Sequence, residues 1–215
     1  MTKDNKVVLF RADSSSVIGT GHIMRDLVLS KKYKKNNIIF ATQDLDGNIN
    51  HKISEAGHRL ELLQSNNSEE LINLINKYDA ELIVIDHYEI DYKFEKKLKK
   101  QTGVKILSFD DTYEKHYCDI LLNHNISGEK KRYKNLVPKY CEIRCGSKYT
   151  LLRNEFLKEK RKKTIFLAMG GADYSNINIK ILDILQELKN IKVNLVTTTA
   201  NNNLEDLRKY TKDKK

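Results

Sequence analysis

The sequence predicts an α/β protein made of two Rossmann-like domains, the second of them incomplete. Short apolar runs alternate with segments of helical spacing, which indicates a parallel sheet covered on both faces. A glycine-containing turn follows the first apolar run, and a turn with paired glycines follows the run that begins at residue 164. This repeated strand–glycine–helix theme predicts two similar domains that face one another across a cleft.

The predicted strands are short runs rich in β-branched or aromatic residues, the composition that favours strands. The N-terminal domain, residues 1–127, contains six of them, at 7–10, 38–42, 59–63, 82–85, 104–109 and 120–122. Helices are predicted between most of these runs. The apolar residues expected to share a helix face are Met24, Leu27 and Val28 in the first helix and Leu71, Ile72 and Ile75 in a later one. Ser68 is the predicted N-cap of that later helix, and Gly103 is the predicted C-cap of the next.

Residues 128–163 are predicted to form a connector with a short strand near 141–145. Residues 164–215 then restart the pattern, with strands at 164–168 and 193–197, and a charged helix near 203–210. An amphipathic helix between them would use Ile177, Ile181, Ile184, Leu185 and Leu188. Two strands do not make a covered sheet, and natural proteins avoid an unpaired buried edge. We therefore expect either a fragment or a partner that supplies the missing strands.

Composition narrows the classes of function. The chain has 215 residues, 40% of them hydrophobic, and a net charge of +10. No run approaches the roughly 20 apolar residues of a membrane helix, and no apolar segment follows the N-terminus as in a signal peptide. A cytoplasmic protein without a membrane partner is expected. Only 8 of the 39 basic residues are Arg, which argues against nucleic acid as a partner. The positive surface would instead steer an anionic substrate.

The three cysteines are Cys118, Cys141 and Cys145. An odd, sparse set does not indicate a disulfide framework, and no second cysteine pair or histidine cluster supports a zinc site. We interpret all three as reduced and structural. No metal or cofactor is expected.

The most informative stretch lies between the first strand and the first helix. A strand–loop–helix turn offers backbone N–H groups to an anion, and Gly19 and Gly21 let the backbone approach a ligand closely. His22 stands at the helix start, where the dipole opposes protonation of an imidazole. A neutral imidazole facing a bound anion suits a general base; the alternative is a residue that only caps the helix. The nearby Arg11 and Asp13 favour the functional interpretation.

Ligands of parallel sheets bind outside the carboxyl ends of the strands. That rule selects Arg11, Asp13, Asp86, His87, Tyr88, Asp110, Asp111, Asn123 and Asn125.

Seven short motifs occur in order along the chain. They are Arg11-Ala-Asp13, Gly19-Thr-Gly21-His22, Ile85-Asp86-His87-Tyr88, Leu107-Ser-Phe-Asp110-Asp111, Cys118-Asp-Ile-Leu-Leu-Asn123, Arg144-Cys-Gly146 and Met169-Gly170-Gly171-Ala-Asp173. Each is weak alone, but seven at compatible spacing are specific. Together they resemble the UDP-sugar hydrolases of pseudaminic acid biosynthesis, which act on UDP-2,4-diacetamido-2,4,6-trideoxy-β-L-altropyranose.

The resemblance implies a glycosyltransferase-like fold of the two-domain GT-B type, and hydrolysis of a UDP-sugar without a metal. It implies that water attacks the anomeric carbon, that UDP leaves and that the configuration inverts, in a pathway that serves flagellin glycosylation. The family's catalytic His falls on His22 and its active-site Tyr on Tyr88, while Gly170 and Gly171 would lie beside the nucleotide. Family members continue past residue 215 with a Ser-rich loop and an Asn-Glu helix start that hold the nucleotide.

The remaining candidates keep more than one interpretation. Arg11 would bind a phosphate or carboxylate, or form a structural salt bridge. Asp13 would orient His22 or sugar hydroxyls, or make a local turn. Tyr88 would contact the sugar or the attacking water, or only pack. The other substrate-binding candidates are Gly19, Gly21, His87, Asp110 and Asn123; His87 is also a second-ranked base, and Asp110 an alternative cap.

Two other functions stay open. A glycosyltransferase on the same fold would need an acceptor and predicts an exposed apolar patch on the N-terminal domain. A truncated remnant would bind UDP weakly or not at all. An RNA-binding protein, which would show binding that falls steeply with salt, receives little weight.

Overall fold

The computed structural model describes residues 6–157, 164–169, 173, 175–198 and 201–212. The chain divides into two compact units, Met1–Leu157 and Lys158–Lys215. The strands of the first unit are β1 (Val7–Ala12), β2 (Asn37–Gln43), β3 (Arg59–Leu63), β4 (Ala80–Asp86), β5 (Lys105–Phe109), β6 (Ile120–Asn123) and β7 (Glu142–Cys145). They form one sheet in the order β3-β2-β1-β4-β5-β6-β7. Every neighbouring pair is parallel, so the predicted parallel α/β sheet is confirmed.

Helices connect these strands. They are α1 (Gly21–Ser30), α2 (His51–Glu55), α3 (Ser68–Tyr78), α4 (Tyr92–Thr102) and α5 (Asn154–Leu157), with short 3-10 turns at Lys31–Tyr33, Lys130–Tyr133 and Ser147–Tyr149. Alternate strand residues feed two buried clusters. Leu9 and Ile83 belong to one cluster, and Val8, Phe10 and Val84 belong to the other. The central strands are thus buried on both faces, which explains their nearly continuous apolar sequences.

The strand near residue 145 has a different role from the one predicted. β7 pairs in parallel with β6, with Ile143 opposite Leu121. It is the seventh strand of the main sheet, and the first compact unit runs on to Leu157. Much of the segment expected to be a connector therefore belongs to the first unit.

Met24, Leu27 and Val28 share one face of α1, as predicted, and together line a surface groove of about 870 Å³. This face is only half-buried, although Leu27 packs against the core. The fully buried face of α1 is a different one, and it includes Ile23, Asp26 and Leu29. It could not be read from apolar spacing because it contains a carboxyl group.

Two helix ends test the predicted caps. Gly103 follows α4 with a φ of 71°, and its N–H donates to the carbonyl of Lys99, as the C-cap prediction required. At the start of α3 the cap is Asn67, whose side chain accepts a hydrogen bond from the backbone N–H of Glu69 at 2.9 Å. Ser68, the predicted cap, is the first helical residue. Asparagine and serine are about equally good N-caps, so composition alone could not choose between neighbours.

We expect Asn67→Ala to lower the free energy of unfolding of the first unit by about 1 kcal/mol, because an orphan helix N–H loses its acceptor. The matched change Ser68→Ala should cost less than about 0.5 kcal/mol. Urea denaturation followed by circular dichroism measures both. Equal losses of unfolding free energy, or a larger loss for Ser68→Ala, would show that Asn67 is not the N-cap and would favour Ser68.

The second unit is smaller. It contains β8 (Thr164–Leu167), α6 (Ile177–Leu185), β9 (Lys192–Leu195) and α7 (Leu204–Lys212), with β8 and β9 parallel. Leu167, Leu182 and Leu207 form its buried cluster. Of the predicted apolar face of α6, Ile184 and Leu188 are exposed, so that part of the prediction was wrong.

Asp173 fixes the start of α6. Its carboxylate accepts hydrogen bonds from the backbone N–H groups of Ile177 at 2.8 Å and Asn178 at 3.3 Å. Within the described ranges of both units, no helix has the length and apolar character needed to cross a bilayer.

Candidate active site

The candidate site lies where the direction of the chain's crossovers changes. β1 has β2 on one side and β4 on the other. The chain leaves β1 through α1 towards β2, but leaves β4 through α4 towards β5. Such a switch point opens a crevice at the carboxyl ends of the two strands, the usual ligand position in open parallel sheets. The residues at this edge are Asp13, Asp86, His87 and Tyr88.

The loop between β1 and α1 is held by its own hydrogen bonds. Ser15 Oγ accepts from the backbone N–H groups of Val17 at 3.2 Å and Ile18 at 2.9 Å. Gly19 has a φ of 84°, a conformation that favours glycine. Its N–H donates to the Ser15 carbonyl at 2.8 Å, so this group is not free to bind an anion. A Cβ at Gly21 would meet no atom within 4 Å, which leaves open space at the helix start.

His22 is the second residue of α1 and is only 8% exposed. Its ring packs edge-on against Tyr88, with the ring centroids 5.0 Å apart. Nδ1 is buried without a hydrogen-bond partner. Nε2 is neither engaged by a hydrogen bond in the described part of the chain nor fully buried, so it is the nitrogen open to a ligand. Burial lowers the pKa of His22, and although Asp86 opposes this, Arg25 adds to it. The imidazole is therefore neutral at neutral pH.

Tyr88 projects from the edge of the sheet and is 67% exposed. Its hydroxyl donates to Asp111 Oδ1 at 3.4 Å. Burial and the neighbouring Asp111 carboxylate raise the pKa of Tyr88, which keeps the phenol protonated. Tyr88 and Asp111 line a cavity of about 860 Å³ together with Arg25, Asp86 and Phe109. His22 does not line this cavity but contacts Tyr88, which does.

Arg25 is held rigidly at the centre of this edge. Its Nε donates to Asp86 Oδ2 at 2.5 Å, and its Nη2 donates to Asp86 Oδ1. The guanidinium lies 4.9 Å from the centre of the Phe109 ring, and its Nη1 is 3.3 Å from His124 Nε2. Burial would lower the pKa of Arg25, but its bonds to Asp86 raise it. The group is thus a permanent cation beside the cavity.

Arg11 and Asp13 form a fully buried ion pair. Arg11 Nη1 and Nη2 donate to the two carboxylate oxygens of Asp13 at 2.6 Å and 2.7 Å. Asp13 also accepts from the backbone N–H of Gln43 at 2.7 Å and lies 3.0 Å from His87 Nε2. Burial alone would raise the pKa of Asp13, but its bonds to His87 and Arg11 hold it far below its usual range. This geometry favours the structural salt bridge over direct ligand contact for Arg11.

His87 has both ring nitrogens occupied. Nδ1 accepts the backbone N–H of Glu89 at 3.1 Å, so Nε2 carries the proton and donates to Asp13. A general base needs a free lone pair. The arrangement therefore favours His22 over His87 as the base.

Asp110 and Asn123 are buried in a supporting network. Asp110 Oδ1 accepts from the N–H and hydroxyl of Thr112 at 2.9 Å and 2.8 Å. Asn123 donates to the Tyr133 hydroxyl at 3.0 Å, and that hydroxyl donates to the Asp110 carbonyl at 3.1 Å. Both side chains shape the loops after β5 and β6. No described helix begins at Asp110, so its carboxylate holds a loop turn and is not the helix cap that was one interpretation of it.

Three residues at this edge were assigned no role from the sequence: Arg25, Asp26 and His124. Arg25 and Asp26 lie three and four positions after His22, on the same side of a helix, which was a usable signal. No local pattern marks His124, whose pKa is lowered by burial and by Arg25. Gly170 and Gly171 lie outside the described residues. Across the described ranges, His, Cys, Asp and Glu side chains form no group of three that could hold a metal ion.

Comparison with known proteins adds sequence relatives at this point. A scan against models of protein families finds no match. The UDP-2,4-diacetamido-2,4,6-trideoxy-beta-L-altropyranose hydrolase of Campylobacter jejuni subsp. jejuni is 45% identical over 210 residues, covering 95% of this chain and 74% of that protein. An uncharacterised protein of Methanocaldococcus jannaschii is 30% identical over 201 residues, covering 86% of this chain and 41% of that protein.

A spore coat polysaccharide biosynthesis protein of Bacillus subtilis is 25% identical over 192 residues, covering 84% of this chain and 55% of that protein. Among solved structures, a glycosyltransferase from Rickettsia africae ESF-5 aligns with a TM-score of 0.49 at 10% identity, covering 92% of this chain and 69% of that chain. The likeness to the Campylobacter enzyme extends over nearly the whole chain and most of that enzyme. The chain therefore belongs to the UDP-2,4-diacetamido-2,4,6-trideoxy-beta-L-altropyranose hydrolase family of enzymes.

Proposed function

We propose that this chain hydrolyses UDP-2,4-diacetamido-2,4,6-trideoxy-β-L-altropyranose to UDP and the free 2,4-diacetamido sugar. The observation that carries the proposal is the His22 imidazole, neutral and with Nε2 open, at the carboxyl edge of the sheet. The 45% identity to an enzyme named for this reaction supports the choice of substrate. The wider role, in pseudaminic acid biosynthesis and flagellin glycosylation in the cytoplasm, is part of the same proposal.

In the proposed reaction, His22 Nε2 removes a proton from water as the water oxygen attacks the anomeric carbon. The bond from that carbon to the UDP oxygen breaks, and its electron pair leaves with UDP, so the configuration inverts. A diphosphate is a good leaving group, and it requires charge compensation rather than a second carboxylic acid. Arg25 is already paired with Asp86 and lies 4.0 Å from Asp111, so the compensating charge is proposed to come from the backbone N–H groups at the start of α1.

Tyr88 is proposed to contact the sugar or the attacking water through its protonated hydroxyl. Its exposed ring and its contact with His22 support this assignment. Gly21 leaves space for the substrate at the start of α1. Arg11, Asp13 and His87 face inward. They are proposed to affect substrate binding indirectly, by holding the carboxyl edge of the sheet in shape.

The GT-B arrangement is also a proposal. In it, the first domain carries the catalytic His22, and residues 164–215 begin the nucleotide-binding domain. Gly170 and Gly171 would approach the diphosphate there. The seven-stranded parallel sheet supports the first of these domains.

The test is incubation of the chain with the UDP-sugar and no acceptor, followed by ¹H NMR. Release of UDP and free sugar in equal amounts, with the inverted anomer appearing first, supports the hydrolase. Release only after an acceptor is added would instead establish a glycosyltransferase. No release, together with no heat when UDP is titrated by calorimetry, would identify an inactive remnant.

We expect Tyr88→Phe to lower kcat about 5- to 10-fold, since one hydrogen bond of about 1 kcal/mol is lost while the ring contact with His22 remains. Tyr33→Phe is the matched control, because Tyr33 lies near the amino ends of the strands, beside Val7 and Ile120. Steady-state kinetics on the UDP-sugar measure both. An unchanged rate for Tyr88→Phe would return Tyr88 to a packing role.

A further inference from the structure

Three buried polar atoms on α1 have no hydrogen-bond partner within the described residues. They are His22 Nδ1 and both carboxyl oxygens of Asp26. Asp26 is fully buried, and His22 is nearly so. Buried polar atoms almost always have partners, in protein or in ordered water, because an unsatisfied group costs about 1–3 kcal/mol. Three such atoms occur within one turn of the same helix.

The helix places His22 and Asp26 one turn apart on the same side of α1. Residues four apart lie one above the other on a helix, with Cβ atoms about 5–6 Å apart. Side chains tilt towards the helix N-terminus, so the carboxyl of Asp26 leans towards position 22. Within an imidazole, Nδ1 is the nitrogen nearer the backbone, and it is the one that is buried. The opposite nitrogen, Nε2, is left for the ligand.

We propose that Asp26 is the positioning residue of His22. His22 Nδ1–H donates to a buried water that in turn donates to a carboxyl oxygen of Asp26, since the structure shows no direct hydrogen bond between the two side chains. This proposal rests on the proposed function only in so far as His22 is the base. A carboxyl oxygen accepts this bond whether the acid is ionised or protonated, so the link survives the burial of Asp26.

The bond would fix which tautomer His22 adopts. With the proton on Nδ1, Nε2 carries the lone pair and can accept a proton from water. In the other tautomer Nε2 carries a hydrogen and cannot act as a base. Asp26 would thus act on the reaction through His22 without touching the substrate.

The tautomer can be read directly by two-bond ¹H–¹⁵N correlation spectra of the ¹⁵N-histidine-labelled chain, with His22 assigned from its loss in His22→Asn. The expected result at neutral pH is the Nδ1–H tautomer. In Asp26→Asn, the amide can donate to that water, which then donates to Nδ1, and should shift His22 to the Nε2–H form, as the same substitution does in a Ser-His-Asp triad. An Nε2–H tautomer in the unsubstituted chain, or no shift in Asp26→Asn, would overturn the proposal. If Asp26→Asn does not fold, the tautomer of the unsubstituted chain decides alone.

Kinetics give an independent readout. Asp26→Asn should lower kcat about 10- to 100-fold, part of what a general base contributes, and change KM less than about 3-fold. The matched control is Asp119→Asn, because Asp119 precedes β6 at the opposite edge and bonds Lys99 at 2.7 Å. An unchanged kcat in Asp26→Asn would count against the link. If His22 shows the Nδ1–H tautomer but the chain does not hydrolyse the UDP-sugar, the proposed function is refuted and the link to Asp26 stands. If the chain hydrolyses the UDP-sugar but His22 shows the Nε2–H tautomer, the link is refuted and the proposed function stands.

Discussion

Replacing His22 with Asn is expected to lower kcat for the UDP-sugar about 10²- to 10⁴-fold, the usual contribution of a general base. Asparagine fills a similar space but cannot take a proton from water. Since Asn is also a small polar residue, this change at the start of α1 should leave the fold intact, which circular dichroism checks. The measurement is UDP release under saturating substrate, beside calorimetric titration with UDP, which should be unchanged.

The pH dependence of the unsubstituted chain checks the same assignment. Burial lowers the pKa of His22 below its ordinary value of 6.5. A base works only when unprotonated, so kcat/KM should be level at neutral pH and fall only as the pH drops through this lowered pKa. The pH profile of His22→Asn should not show this fall in kcat/KM. Turnover within a few-fold of the unsubstituted rate in His22→Asn would refute the assignment.

Replacing Arg11 with Met is expected to reduce the free energy of unfolding of the first unit by about 3–5 kcal/mol, because it leaves a buried carboxylate without its cation. Both partners are fully buried, and their two hydrogen bonds are short. The partners of Asp13 hold its pKa far below its usual range. The stabilisation is therefore complete at neutral pH and is lost progressively as the pH falls below the ordinary aspartate pKa of 3.8 towards the lowered value. The midpoint of urea denaturation measures the change.

A matched control separates burial from charge. Lys52 pairs with Glu55 at 2.8 Å on the surface of α2, and Lys52→Met should cost less than about 1 kcal/mol. The double variant Arg11→Met with Asp13→Leu should recover much of the loss, because replacing both partners removes the uncompensated charge. Equal losses for Arg11→Met and Lys52→Met would show that the buried pair is not a major support of this unit.

The central strands of the first sheet could be predicted from the sequence because they are buried on both faces. β3 was predicted at its observed bounds, and β1 was found from its apolar run, although it extends to Ala12. The fully buried face of α1 could not be found in this way, because Asp26 lies in it. Apolar periodicity predicts the buried face of a helix only where the buried side chains are apolar.

The site was predicted in part for a related reason. His22 was selected from its place at the helix start and Tyr88 from the strand-end rule, and the motifs select both. The contact of Arg25 with Asp86 joins residues 61 positions apart, and no spacing rule reaches that far. The pairing of Arg11 with Asp13 is local, yet composition could not decide between a ligand contact and an ion pair. Burial decided it.

The Asp13 carboxylate links three strands. It accepts hydrogen bonds from Arg11 on β1, from the backbone N–H of Gln43 on β2 and from His87 just after β4. Any survey of this enzyme by alanine replacement would therefore rank Asp13 among the most sensitive positions. The loss of activity would then reflect disruption of these contacts between strands and not the loss of a chemical step. Thermal denaturation of an inactive Asp13 variant should accordingly precede any interpretation of its kinetics.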